Sequence, residues 1–219
     1  NILNLYCSSY VKTICFKKKF EEEGSLFFID VGYERTSILA FDKHKLMFFE
    51  TIPLGGNNIT KDISKVLKLN LNYSEDLKVK FNEDEKHGFF NKASQNEINP
   101  YSVMLEKNIS IGLLKNVIKA RIDEIVELVI NKNGNFEKLK FQKKPNLIVF
   151  GGGSKSLLND NNLNLKSKFS DLIFFNENDT VICESGLFYN KREDSDILLV
   201  KKSIKKEGFF EKFFNLFAK

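Results

Sequence analysis

"SLFFIDVGYERTSILAFDK", residues 25–43, decides how this chain folds. An apolar run reaches an Asp and then a Gly, and a second apolar run begins at Thr36. Runs of this length, bounded by turn residues, predict strands at 25–32 and 36–43. A third run, "KLMFFETIPLGG" at 45–56, follows across the polar turn "DKHK", so the reading is strand, turn, strand, turn, strand. An Asp at a strand end followed by a Gly turn can set a carboxylate near a metal-bound water. The backbone N–H groups of the turn can meanwhile face phosphate oxygens. The same Asp-x-Gly pattern is also common in plain hairpins, and both readings stay open on these residues alone.

On either side of this meander the period becomes helical. Residues 2–20 mix apolar and basic residues and predict a helix, stopped by "EEEG" at 21–24. Ile59, Ile63, Val66 and Leu67 share one face of a helix beginning at 57. Ser74 is placed to cap a second short helix, "EDLKVKF". Residues 82–100 are polar and breaker-rich and predict a loop, and "YSVMLEK" at 101–107 predicts a short strand. The clearest helix is 110–134. Leu114, Val117, Ile118, Ile122, Ile125 and Val129 form its stripe, with Ser110 as cap and Gly134 as stop. Strands at 146–150 and 171–175 and a helix at 179–190, capped by Asp179 or Thr180, complete the body.

Two further stretches carry chemistry. "LIVFGGGSKSL" at 147–157 runs a buried strand into three glycines, where backbone can pass close to a ligand and a helix aims its N-terminus at it. It matches neither the dinucleotide fingerprint nor the Walker A loop. Glu75 and Lys78 lie three apart on a predicted helix and project together, as a ligand-binding pair or as a solvated ion pair.

Composition narrows the classes. With 42% hydrophobic and 29% charged residues the chain is an ordinary globular protein, and its net charge of +5 is too mild to argue for nucleic acid. Its three cysteines, Cys7, Cys15 and Cys183, are sparse and fit reduced thiols, and no Cys/His cluster suggests zinc.

The order of these pieces resembles a family. Asp-x-Gly-x-x-x-Thr, then "IPLGGNNITKDI", then Glu-x-x-Lys, then strand–Gly-Gly-Gly-Ser is similar to the second half of the actin-like ATPases, and within them to the bacterial cell-division FtsA family. The resemblance runs from about residue 20 to the end. It implies an α/β, actin-like (ribonuclease H-like) ATPase fold, represented here by its second lobe. Subdomain IIA would comprise 1–53 and 143–190, with inserted subdomain IIB at 54–142.

The resemblance also implies roles. Asp30, Gly32 and Thr36 match the second phosphate loop, with Asp30 as the catalytic carboxylate and Mg2+ held through water near it. Gly55 and Gly56 match a loop approaching the nucleotide, Glu75 and Lys78 the pair near ribose and adenine, and Gly151, Gly152, Gly153 and Ser154 the adenosine loop. The implied cofactors are ATP and Mg2+. One departure stands out: Tyr33, Glu34 and Arg35 occupy positions where the family usually has Gly-Gly-Thr-Thr. A carboxylate there disfavours a triphosphate, so at most a weak ATPase is expected. With the first lobe absent, this chain alone holds half a site.

The chain ends in "KKEGFFEKFFNLFAK", 205–219. On a helical wheel Phe209, Phe210, Phe213, Phe214, Leu216 and Phe217 fall in one arc, opposite Glu211, Lys212, Asn215 and Lys219. A charged linker at 191–206 precedes this helix of 207–219. Each basic residue near an anionic surface contributes on the order of 1 kcal/mol. Each buried Phe contributes roughly 1.5–3 kcal/mol before ordering costs. Together they predict an in-plane helix on an anionic membrane, which fits the family's tail. The resemblance further implies capture of the C-terminal tail of the tubulin-like protein FtsZ by Arg121 and Glu124, self-association into filaments, and a place on the cytoplasmic face of the inner membrane at the division site. A pilus-assembly ATPase or a cell-shape filament protein of the same fold is the alternative.

Overall fold

The computed structural model describes residues 5–20, 24–43, 45–87, 104, 109–141, 143–158, 165, 167–175, 177 and 180–190. The linker 191–206 and the terminal segment 207–219 lie outside these.

Five strands form one sheet: β1 (Ser25–Val31), β2 (Thr36–Asp42), β3 (Lys45–Ile52), β4 (Asn146–Phe150) and β5 (Leu172–Phe174). Their order is β3-β2-β1-β4-β5. The first three pair antiparallel as a meander, while β4 runs parallel to both β1 and β5. The register sets Phe28 opposite Leu39 and Ile148, and Asp30 opposite Ser37 and Phe150.

Helices cover both faces. Phe27, Ile29, Val31, Ile38, Ala40, Leu147 and Val149 face one way. They meet α2 (Gly56–Leu67), α3 (Leu71–His87) and α4 (Ile111–Val126) through Ile59, Ile63, Leu77, Leu114, Ile118 and Ile122. Leu26, Phe28, Leu39, Phe41, Ile148 and Phe150 face the other way. They meet α1 (Ser8–Lys17) through Ile14 and Phe16, and α7 (Val181–Asn190) through Phe188 and Tyr189. A sheet buried on both sides has no polar face to alternate with, and the strands accordingly read as continuous apolar runs. Edge strand β3 differs, alternating exposed and half-buried residues. Phenylalanine fills much of the space: Phe27 packs against Phe136 and Phe169 at 4.9 and 5.4 Å between ring centres, and Phe16 stacks on Phe175 at 4.8 Å.

The helices inserted between β3 and β4 share this core, and among the described residues they build no separate one. The described residues also form two short helices, α5 (Gly134–Lys138) and α6 (Ser154–Leu158).

Several local expectations need correction. Helix α1 covers only Ser8–Lys17 of the predicted 2–20. Ser74 does not cap a helix but sits within α3, its hydroxyl donating to the Asn70 carbonyl at 2.8 Å. Asn70 is the cap, its side chain accepting from Tyr73 N at 2.7 Å. Helix α3 runs on to His87 and takes in the start of the predicted loop at 82–100. Of the expected strand at 101–107 only Met104 is described, and it is helical and buried; the other positions lie outside the described residues. Ser110 does cap α4, accepting from Leu113 N at 3.1 Å. That helix then widens into a π-helical turn, Glu127–Asn131. The wider turn rotates the stripe and lets both Val129 and Ile130 be buried. Gly134 consequently does not stop the helix but opens α5, whose cap is Asn133. Strand β3 ends at Ile52 rather than continuing to 56, because Gly56 already begins α2.

Phe27 has no exposed surface and contacts three rings, Phe48, Phe136 and Phe169. Phe27→Ala is expected to lower unfolding free energy by about 3–5 kcal/mol in urea titration. Met47→Ala, at a site 41% exposed on β3, should stay within about 0.5 kcal/mol.

Candidate functional site

Three loops meet at the carboxyl ends of β1 and β4. The first is the hairpin turn after Val31, closed by Gly32 N donating to the Arg35 carbonyl at 2.9 Å. The second is the approach to α2. Gly56 N donates to the Gly32 carbonyl at 2.9 Å and Asn57 N to the Tyr33 carbonyl at 2.7 Å. Thr36 is fully buried and its hydroxyl donates to the Leu54 carbonyl at 2.7 Å. Gly55 has no room for a side chain, since a Cβ there would lie 2.6 Å from both the Gly32 and Tyr33 carbonyl oxygens. The N–H groups of Gly56 and Asn57, at the start of α2, are thus spent on the turn. Thr36, Gly55 and Gly56 pin two loops together.

The third loop is Gly151–Gly153. Gly151 has φ +94°, and a Cβ would fall 2.4 Å from the Val31 carbonyl oxygen and 2.5 Å from Asp30 Oδ1. Gly153 N donates to the Val31 carbonyl at 2.8 Å, and Ser154 N to the Gly151 carbonyl at 3.0 Å. Gly152 is different: it is exposed, and a Cβ would meet nothing within 4 Å. It presents bare backbone at the tip of the loop.

Helix α3 brackets the site. Lys78 Nζ donates to Glu75 Oε2 at 2.7 Å, to Thr60 Oγ1 at 2.9 Å and to the Gly56 carbonyl at 3.1 Å. Thr60 also donates to Glu75. Lys78 is only 6% exposed while Glu75 stays partly exposed, so the lysine is a buried strut with a half-buried partner. One turn on, Asn82 Nδ2 donates to Ser156 Oγ at 2.9 Å, tying α3 to the helix after the glycine loop. The structure therefore brings Asp30, Gly32, Thr36, Gly55, Gly56, Glu75, Lys78, Gly151, Gly152, Gly153 and Ser154 into one region. The departures Tyr33, Glu34 and Arg35 lie exposed on its rim.

Asp30 has a partner that the sequence reading missed. Lys12 Nζ, from α1, lies 2.9 Å from Asp30 Oδ2 and 2.9 Å from Glu177 Oε1, and donates to Glu177 Oε2 at 3.2 Å. Lys12 and Asp30 are each 5% exposed. The ammonium also sits 5.0 Å from the centre of the Phe150 ring. Burial pushes the Glu177 carboxyl above its ordinary range, an effect that the Lys12 hydrogen bond opposes and the Asp30 charge adds to. The local signal was a lysine in the apolar part of a helix, beside Val11 and Ile14. The Lys12 ammonium thus holds the Oδ2 side of the Asp30 carboxylate. Among the described residues no group of three or more His, Cys, Asp or Glu is placed to hold a metal.

Arg121 and Glu124 lie elsewhere, on α4 where it meets α2. Arg121 grips Asp62 with two bonds, Nε to Oδ2 at 2.6 Å and the second guanidinium nitrogen to Oδ1 at 3.0 Å, and also donates to Glu124. The Asp62 hydrogen bond raises the Arg121 pKa, against the lowering effect of burial. A cavity of about 400 Å³ opens beside them, with Val66, Val117 and Ala120 in its lining. Val66, expected on the buried face of α2, is 50% exposed there. The aromatic positions 209, 210, 213, 214 and 217, with Leu216, lie outside the described residues.

Comparison with known proteins gives the family. A profile described as cell division protein FtsA matches residues 27–160, more than half of the chain. The FtsA of Bacillus subtilis is 33% identical over 114 residues, covering 51% of this chain and 25% of that protein. The FtsA of Neisseria meningitidis is 28% identical over 139 residues, covering 61% and 32%. The chain thus spans about a quarter to a third of the length of these relatives. Among solved structures, MreB5 of Spiroplasma citri bound to AMPPNP is similar with a TM-score of 0.55 at 17% identity, covering 84% of this chain and 58% of that one. A PilM-PilN type IV pilus biogenesis complex is similar at 0.55 and 15% identity, covering 84% and 44%. These two likenesses concern the fold, which is that of the actin-like proteins. The profile match spans the turn after β1, the approach to α2 and the glycine loop after β4, and by it the chain belongs to the FtsA family of cell-division proteins.

Proposed function

We propose that this chain is the second lobe of an FtsA-type protein that binds ATP between two lobes and links FtsZ filaments to the cytoplasmic membrane. In this reading 1–53 and 143–190 form subdomain IIA and 54–142 subdomain IIB. The observation that carries the nucleotide part is the convergence of the three loops at the carboxyl ends of parallel neighbours β1 and β4, with Gly152 bare at the tip. Ligands of α/β sheets bind outside those strand ends, and MreB5, of the same fold, was solved with AMPPNP. The exposed Glu34 and the paired Asp30 make slow turnover the expectation, with nucleotide acting as a conformational ligand.

The cavity between α2 and α4 is the proposed seat of the FtsZ C-terminal tail. Its apolar lining suits one face of a short helix. Arg121 would exchange its bonds to Asp62 and Glu124 for a carboxylate of the tail. The residues 207–219 supply the proposed anchor on the cytoplasmic face at the division site, and actin-like contacts between copies would build the filament.

Three tests follow from this reading. Calorimetric titration of the full-length protein should detect ATP binding that Gly152→Leu weakens about tenfold or more, with the melting temperature kept within about 2 °C. Undiminished affinity would remove the glycine loop from the site. In fluorescence anisotropy, Arg121→Glu should weaken an FtsZ C-terminal peptide by about tenfold or more; equal affinity in the variant takes Arg121 out of the interface. Replacing both Phe213 and Phe217 by Glu should abolish co-sedimentation with anionic liposomes, and unchanged sedimentation rules the tail out as the anchor.

A further inference from the structure

We propose that Lys12 is a resident cation of the Asp30 site, its ammonium taking the place that a divalent ion or its water would need beside that carboxylate. Its bearing on nucleotide rests on the reading that the Asp30 turn faces phosphate. The ion site itself stands on geometry alone.

The placement is built. Lys12 comes from α1, Asp30 from the end of β1, and Glu177 from the segment between β5 and α7, three parts of the chain far apart in sequence. One ammonium touches both carboxylates at 2.9 Å and packs over the Phe150 ring. An ion pair removed from water this far survives only with good geometry and extra partners, and this one has both. Asp30 Oδ1, the oxygen that Lys12 does not hold, is buried, has no hydrogen-bond partner, and is aimed at Gly151. A surface bridge would leave no such oxygen beneath a glycine loop. Thr13 Oγ1, on the same helix as Lys12, is likewise buried without a partner.

The consequence concerns how charge is handled at the turn. A divalent cation brings two positive charges and a shell of oriented water. An ammonium brings one charge, three donors and no exchangeable ligand. Asp30 in this chain then has one oxygen engaged by an ammonium and the other buried beside Gly151, which leaves little room for a metal-bound water. On the proposed reading, metal would reach the lobe as the counter-ion that ATP itself carries. The exposed Arg35 supplies the other local positive charge.

The test uses Mn2+ alone, with no nucleotide, on the full-length protein. Free Mn2+ is followed by its electron paramagnetic resonance signal while it is titrated. Wild type and Asp30→Asn are expected to take up the same number of ions. Lys12→Ala empties the ammonium's place and should gain one Mn2+ site at least tenfold tighter than any wild-type binding in that region. That site should vanish in the Lys12→Ala/Asp30→Asn double variant, and Mn2+ should raise the Lys12→Ala melting temperature. Wild-type uptake that is lost in Asp30→Asn overturns the proposal, as does a folded Lys12→Ala that gains no site. Should Lys12→Ala fail to fold, the wild-type against Asp30→Asn comparison still decides. Failure of ATP binding in the calorimetry above would sink the nucleotide reading and leave this result untouched.

Discussion

The structure depends on backbone meeting backbone with nothing between. The Val31 carbonyl accepts from Gly153 N at 2.8 Å, and the Gly32 carbonyl from Gly56 N at 2.9 Å. A methyl group at Gly55 or Gly151 would occupy space already filled by carbonyl oxygens. Each contact satisfies a polar group that the buried strand ends leave behind. Three segments separated by a long insertion are thereby held within ångströms of one another. The glycines serve first to make this junction, and only Gly152 is left over for anything outside the chain.

That junction explains why the apolar layers are arranged as they are. The sheet is covered by α2, α3 and α4 on one face and by α1 and α7 on the other. Each side then sends one buried cation to the junction. Lys78 comes from α3 to the start of α2, and Lys12 from α1 to the end of β1. Burying an ammonium costs several kcal/mol unless carboxylates and hydrogen bonds answer it. Lys78 is answered by Glu75, Thr60 and a carbonyl, and Lys12 by Asp30 and Glu177. The loops are thus clamped from both faces by charge as well as by packing.

What could be read in advance follows from range. The strands, the two glycine stretches and the Glu75–Lys78 pair are local patterns of apolar runs, turn residues and helical spacing, and the fold class followed from the family resemblance that their order carries. The partners of those residues are set by the tertiary arrangement. Arg121 finds Asp62 across 59 positions and Lys12 finds Glu177 across 165, distances over which no periodicity speaks. Local choices failed where two residues compete for one role. Asn70 holds the cap of α3, and Ser74, four positions on, is buried within the helix with its hydroxyl on the Asn70 carbonyl. Gly134 looked like a helix stop, yet the π-helical turn before it had already ended the helix. The Val66 side chain fits the helical face by spacing, but α4 crosses α2 at a place that leaves it beside an open cavity.

If the proposed function holds, the electrostatics of the junction bear on how this lobe would handle a nucleotide. Fast phosphoryl chemistry wants mobile positive charge where negative charge develops, and oxygen ligands free to hold it. Here Asp30 is tied to Lys12, the first N–H groups of α2 are spent on the hairpin turn, and Glu34 stands exposed on the rim. The first two occupy groups that hydrolysis would use and the third adds a negative charge beside the turn, while none of them covers the open backbone at Gly152. On the proposed reading, a lobe wired this way would favour holding a nucleotide over breaking it. In that reading the lobe would suit a protein that changes shape and binds neighbours, because a ligand that stays bound can stabilise one arrangement of two lobes.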